Sequence, residues 1–359
     1  MRVGVLLVGV GVVLAGCATP TAGRPLPVGG VNAESLHVTD VRPVAADGLV
    51  RLSPDGTKLL ALNEELCVTA LDGSGERCVG RDRVLADPLR AQWSPDGTRI
   101  VFTDDFWRAF REPDVWMFDT RSGELENLTD DGADRFDLAE PDPAATIDLF
   151  PSWSPDGRFI RFARGGADAE RVGLMSVGLD GGEVAAVREI DCGTRELMAL
   201  AWSVDQVAWT CGLGSAAVRA AGLSPVREWT VLPGGERGED RMLLSFSPDG
   251  EQLLVDSLGP YNEFAKAGGL AKVVPVEGGE AKPVAEGKVG FPTWAPGGGA
   301  IVYVDLPGTL KVVAEPGGVP RPLRSAEGLA AADGMRLNWV PGTLLARLDG
   351  KPTLLSLVD

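Results

Sequence analysis

Four Ser-Pro-Asp-Gly tetrapeptides, beginning at Ser53, Ser94, Ser154 and Ser247, each place a hydroxyl two residues before a carboxylate. A serine nucleophile also needs a general base, and the chain has one imidazole, His37. No Gly-x-Ser-x-Gly elbow accompanies it, so Ser-His-Asp hydrolysis has no machinery here. A single histidine excludes histidine-ligated metal centres. No Gly-x-x-x-x-Gly-Lys loop is present to cradle a phosphate. What remains is carboxylate chemistry. Asp130, Asp131, Asp134 and Asp137 form an acidic run that could gather around calcium. The alternative is a solvated acidic loop, because the run does not match the twelve-residue calcium loop and Arg135 interrupts it. No catalytic residue and no cofactor is assigned from the sequence.

The Ser-Pro-Asp-Gly groups are better explained as turns. Proline pre-sets φ for the first central position, aspartate suits the next, and glycine accepts the left-handed conformation that follows. Each lies after an aromatic or leucine and before a short apolar run, as in Trp93-Ser94-Pro95-Asp96-Gly97 followed by Ile100-Val101-Phe102. Decayed copies stand at Trp202-Ser203-Val204-Asp205, Trp294-Ala295-Pro296-Gly297-Gly298 and Trp339-Val340-Pro341-Gly342. The third motif residues are about 41, 60, 49, 44, 48 and 45 residues apart, a period that marks propeller blades. Trp93, Trp153, Trp202, Trp294 and Trp339 are expected to pack between blades. The W-S-P-D-G turn before an apolar strand resembles the repeat of TolB-type β-propellers, over residues 36–359. That resemblance implies envelope-associated protein interaction. The chain departs from TolB in lacking its N-terminal α/β domain. The missing histidines argue against the TolB-like propeller lyases, whose metal sites resemble histidine clusters.

The expected fold is therefore all-β, a single seven-bladed propeller of four-stranded antiparallel blades, with a six-bladed ring as the alternative. The last blade, over residues 336–358, has only three strands of its own. Leu36-His37-Val38-Thr39-Asp40-Val41 is a spare alternating stretch ahead of the first blade. Its use as the missing strand closes the ring and removes exposed edges.

The N-terminus carries a second resemblance. Met1-Arg2, an apolar stretch from Val3 to Leu14 and then Leu14-Ala15-Gly16-Cys17 read as a short secretory signal ending in a bacterial lipobox. The lipobox implies cleavage before Cys17 and lipid on its sulfur, anchoring the chain at the extracytoplasmic face of the membrane. Residues 1–16 are then the signal and 17–35 a tether. The other four cysteines, Cys67, Cys78, Cys192 and Cys211, are disulfide candidates for an oxidising compartment. A two-residue turn at Asp72-Gly73 puts Cys67 opposite Cys78, and Cys192 and Cys211 fall where they could join neighbouring blades, although four cysteines allow three pairings.

A net charge of −17 without a basic run removes nucleic acid as a partner. Three inserts, 104–114, 130–148 and 257–268, leave the blades on one face. They carry Trp107, Arg108, Phe110, Arg111, Phe136, Tyr261 and Phe264, contact residues for a partner if they do not simply anchor their own loops. The function expected is a monomeric, lipid-anchored module that binds a protein or other envelope component. The alternatives are a carboxylate- or calcium-dependent hydrolase or lyase at the channel, and an accessory modulator of a membrane sensor kinase.

Overall fold

The computed structural model describes residues 30–359 apart from 47, 63–64, 80–90, 104–112, 133–145, 166–170, 180–181, 194–196, 213–215, 235–239, 259–269, 288, 306–307, 324–336 and 349–350. All regular structure among the described residues is β. Each apolar run after a motif turn is short and rich in branched residues, which suits a pleated, half-buried strand.

The strands form seven antiparallel four-stranded sheets. A first strand, β1 (His37–Pro43), precedes the blades. Blade 1 holds β2 (Leu49–Leu52), β3 (Lys58–Leu62), β4 (Leu66–Ala70) and β5 (Arg77–Val79). Blade 2 holds β6 (Gln92–Trp93), β7 (Arg99–Thr103), β8 (Val115–Asp119) and β9 (Leu125–Asn127). Blade 3 holds β10 (Ile147–Trp153), β11 (Phe159–Gly165), β12 (Arg171–Gly178) and β13 (Ala185–Asp191). Blade 4 holds β14 (Leu197–Trp202), β15 (Gln206–Cys211), β16 (Val218–Gly222) and β17 (Glu228–Leu232). Blade 5 holds β18 (Asp240–Phe246), β19 (Gln252–Leu258), β20 (Leu270–Pro275) and β21 (Lys282–Pro283). Blade 6 holds β22 (Val289–Trp294), β23 (Ile301–Asp305), β24 (Leu310–Val313) and β25 (Arg321–Pro322). Blade 7 holds β26 (Asn338–Val340), β27 (Thr343–Leu348) and β28 (Lys351–Val358), and β1 pairs with β28 as its outer strand.

The seven-bladed ring and its closure by the N-terminal strand are thus as the repeat implied. His37 opens that outer strand, exposed, with Nδ1 2.9 Å from the Ser35 carbonyl. The approach to β1 is held too. Ala33 and Leu36 are buried in the seam of blades 6 and 7, and the Arg321 guanidinium donates to the Ala33 carbonyl. Asn338 at the start of β26 accepts a 2.6 Å hydrogen bond from the Leu52 amide, joining blade 7 to blade 1.

Each motif turn satisfies itself. In blade 2 the Ser94 hydroxyl donates to Asp96 Oδ1 at 2.6 Å and accepts from the Arg99 amide at 2.9 Å, while the Gly97 amide donates to the Ser94 carbonyl. The same serine-to-aspartate bond recurs at Ser53 and Ser154. Gly97 has φ +66°, a conformation open to glycine at no steric cost, and its Cα faces Pro54 of the previous turn. These hydroxyls and carboxylates hold the turns in shape.

The core is divided among the seams between blades, as in the cluster of Val101, Val115, Met117, Trp153, Ile160 and Phe162 between blades 2 and 3. The motif tryptophans pack there as expected. Trp153 Nε1 donates to the Gln92 carbonyl, and Trp294 Nε1 to the Ser245 carbonyl. Each bond runs from one innermost strand to the innermost strand of the preceding blade.

Candidate functional site

Two places combine burial with charge. The first is a cavity of about 300 Å³ lined by four innermost strands: β2, β18, β22 and β26, together with Leu254 and Asp256 of β19. It lies where blades 5, 6, 7 and 1 meet the propeller axis. Its polar groups are Arg51, Ser245, Asp256, Thr293 and Asn338, and its apolar wall includes Leu243, Leu254 and Phe291. Asp256 is only 3 % exposed. Strand alternation explains its position: Leu254 packs toward blade 6, so Asp256, two residues on, points into the same seam.

The cavity wall carries strained backbone. Phe291 has φ +52°, and its counterpart Phe150 in blade 3 has φ +58°. Both stand in a Phe-Pro-Ser/Thr-Trp sequence on an innermost strand. In β10, Leu149 pairs with Ala163 and Ser152 with Arg161, so Phe150 and Pro151 together face the single residue Phe162. In β22, Phe291 and Pro292 face Tyr303 in the same way. These are β-bulges, which re-aim a side chain. Here each aims its ring into the seam with the following blade. A bulky residue in the left-handed region costs about 1–3 kcal/mol and persists where the surroundings over-determine it, commonly at ligand sites. The repeated Phe-Pro before a motif tryptophan was the signal available in the sequence for this wall.

The second place lies between blades 2 and 3. Asp148 on β10 is fully buried and directly opposite Arg164 on β11. It accepts from Arg164 Nε at 2.8 Å and from the other end of the guanidinium at 2.6 Å. Donation to the Asp148 carboxylate raises the guanidinium pKa, and burial raises that of Asp148 against the pull of Arg164. Asp114, 9 % exposed, accepts from Asn127 Nδ2 at 2.7 Å and from the Thr129 hydroxyl at 3.3 Å. Burial pushes Asp114 up to about 6, and the Asp148 charge adds to this. A carboxyl that titrates there can exchange a proton near neutral pH. Arg51, Asp114, Asp148, Arg164, Asp256, Thr293 and Asn338 were not singled out by sequence reasoning. Apart from Thr293, in the repeated Phe-Pro-Ser/Thr-Trp sequence, none stands in a motif, and alternation in a strand does not say which seam a polar residue enters.

Of the acidic run, Asp130 and Asp131 lie among the described residues. Asp130 accepts from the Gly132 amide, and Asp131 accepts from the amide and hydroxyl of Thr146. All three bonds shape the loop. Asp134, Asp137 and the contact residues Trp107, Arg108, Phe110, Arg111, Phe136, Tyr261 and Phe264 lie outside the described residues, as does Cys17. The feet of two inserts do meet: the Asp148 amide donates to the Pro113 carbonyl at 2.8 Å. Both disulfides form. Cys67 is paired with Cys78 across β4 and β5, and Cys192 is joined to Cys211, linking blades 3 and 4.

No family model matches the chain, and no curated protein matches it. Solved structures do. An oligogalacturonate lyase in complex with manganese superposes with a TM-score of 0.60 at 13% identity, covering 92% of this chain and 96% of that one. An oligogalacturonate lyase from Vibrio parahaemolyticus superposes with a TM-score of 0.58 at 12% identity, covering 91% and 95%. At such identities the likeness is one of fold, a seven-bladed propeller along nearly the full length of both chains.

Proposed function

We propose that the protein is a lipid-anchored, extracytoplasmic propeller that binds a component of the bacterial cell envelope, and that a small polar group of that component seats in the axial cavity. The observation that carries this reading is the cavity. One guanidinium, one buried carboxylate, an amide and two hydroxyls converge there beside an apolar wall, the usual make-up of a small-ligand site. The strained Phe291 in its wall supports the same reading. The TolB-type repeat and the lipobox Leu14-Ala15-Gly16-Cys17 support an envelope location. So do the two disulfides, which persist in oxidising compartments.

The test is a crosslinked pull-down from native membranes with the mature protein and with Thr293→Trp, which fills the cavity. A component captured by the first and lost from the second, with both folded, supports the reading. Equal capture by both would move the contact to the insert-bearing face. There, trimming 104–114 and 257–268 to tight turns tests Trp107 and Tyr261.

A second reading is a carboxylate-dependent lyase or hydrolase. The structural neighbours are oligogalacturonate lyases, and Asp114 at about 6 is placed to move a proton. The donor set bears on metal assistance. The lone histidine sits exposed on the outer strand of blade 7, so any ion at the channel would rest on carboxylates. Appearance of an unsaturated product from oligogalacturonate, abolished by Asp114→Asn, would replace the binding reading with this one.

A further inference from the structure

Among the described residues, one group of three potential metal-ligating side chains is gathered together: Glu65 beside the disulfide-bonded Cys67 and Cys78 of blade 1. Their ligand atoms all lie within 4.8 Å of one another. The geometry follows from the hairpin. Cys67 and Cys78 are directly paired across β4 and β5, with Cα atoms 4.0 Å apart. Glu65 immediately precedes β4. The group lies at the outer edge of the blade, with Glu65 and Cys78 exposed and Cys67 half-buried. The second pair differs. Cys192 is buried within the seam of blades 3 and 4 and has no third ligand gathered with it among the described residues.

We propose that blade 1 carries a redox-gated site for a thiophilic divalent cation, closed as the Cys67–Cys78 disulfide and opened by reduction. The opening step needs a dithiol reductant. One of its thiolates attacks a sulfur of the Cys67–Cys78 bond. Its second thiol then resolves the mixed disulfide, leaving two protein thiols and an oxidised reductant. The cation then displaces two protons from those thiols and is held by two thiolates and the Glu65 carboxylate. Three protein ligands with an open fourth position satisfy the tetrahedral preference of zinc. Thiolates on one such ion sit about 3.8 Å apart, a separation that side-chain rotation on a cross-strand pair reaches. Exposure selects this pair: a reductant reaches the outer edge of a blade and not a buried seam.

The test uses the full chain with Co²⁺ as a spectroscopic probe and Zn²⁺ as its competitor, before and after anaerobic treatment with a dithiol. The reduced protein is expected to take up one equivalent, with a thiolate-to-cobalt charge-transfer band, and the oxidised protein none. Cys192→Ser/Cys211→Ser retains the site, and Cys67→Ser/Cys78→Ser abolishes it. Glu65→Gln leaves the disulfide untouched and weakens binding at least about tenfold, since even outer-shell partners of a metal contribute that much. Uptake that follows the Cys192–Cys211 pair, uptake unchanged by Glu65→Gln, or no band in a reduced protein that remains folded would each overturn the proposal.

Discussion

Asp148 and Arg164 face each other across adjacent strands of blade 3, and the guanidinium holds the fully buried carboxylate through two hydrogen bonds. Removing one partner of a buried pair strands the other charge in a poor solvent, which costs about 3–5 kcal/mol. Arg164→Met is therefore expected to lose about that much in urea unfolding. Adding Asp148→Asn should recover a large part. A double-mutant cycle with no coupling between the two changes would disprove the pairing.

Asp114 makes stability depend on pH in the opposite sense to an ordinary paired carboxylate. Its pKa is raised in the folded protein to about 6, above the unfolded value of about 3.9. The folded state therefore holds the proton more tightly. The stability this contributes is fully present below the unfolded pKa and is lost as pH rises through 6. Asp114→Asn keeps an acceptor for Asn127 and has no proton to lose. Its unfolding free energy should fall less than that of the parent between about pH 4 and 6. Parallel pH profiles for the two proteins would remove Asp114 as the source.

The motif turns behave in the usual carboxylate sense. Donation from the Ser53 and Ser154 hydroxyls holds Asp55 and Asp156 below the ordinary carboxylate range. This stability is present above the unfolded pKa and disappears as pH falls through the folded one. Ser154→Ala should thus lessen the loss of stability on acidification. It should also destabilise the protein at neutral pH by about 0.5–1.5 kcal/mol, because the Phe159 amide loses its hydrogen bond to the Ser154 hydroxyl. Thermal melts from pH 7 to pH 3 would show both effects, or their absence.

Closure of the ring rests on residues far apart in the chain. Leu36 is buried in the seam of blades 6 and 7, and β1 covers the edge of β28. Leu36→Ala should cost about 2–5 kcal/mol. Deleting residues 30–43 should expose β28 as a free edge and promote association. Faster hydrogen exchange confined to β28 and β27 would locate the effect, and exchange unchanged there would argue that blade 7 closes without β1.

Much of this architecture was legible in the chain. Asn338 pairs its strand to Leu345 where the decayed Trp339-Val340-Pro341-Gly342 turn predicted a strand, and Val38 lies against Leu357 as the spare alternating stretch required. Cys67 opposite Cys78 follows from counting residues around Asp72-Gly73. These features are local. Turn chemistry and a period of two act over a few residues, and repetition multiplies the signal until it sets blade number and closure.

The charged interior is another matter. Arg51 and Asp256 stand about two hundred residues apart in sequence, and only the closing of the ring brings blades 5 and 1 to a common cavity. Asp114 and Asp148 acquire their environment from a seam between blades, where burial rather than sequence neighbours sets the proton affinity. The sequence by itself determined the propeller repeat, where each blade turns and which strand closes the last, and it favoured seven blades over six, a choice the seven sheets settle. Only the tertiary structure decided which polar residues leave water together, because desolvation depends on neighbours that the fold supplies and the local chain does not contain.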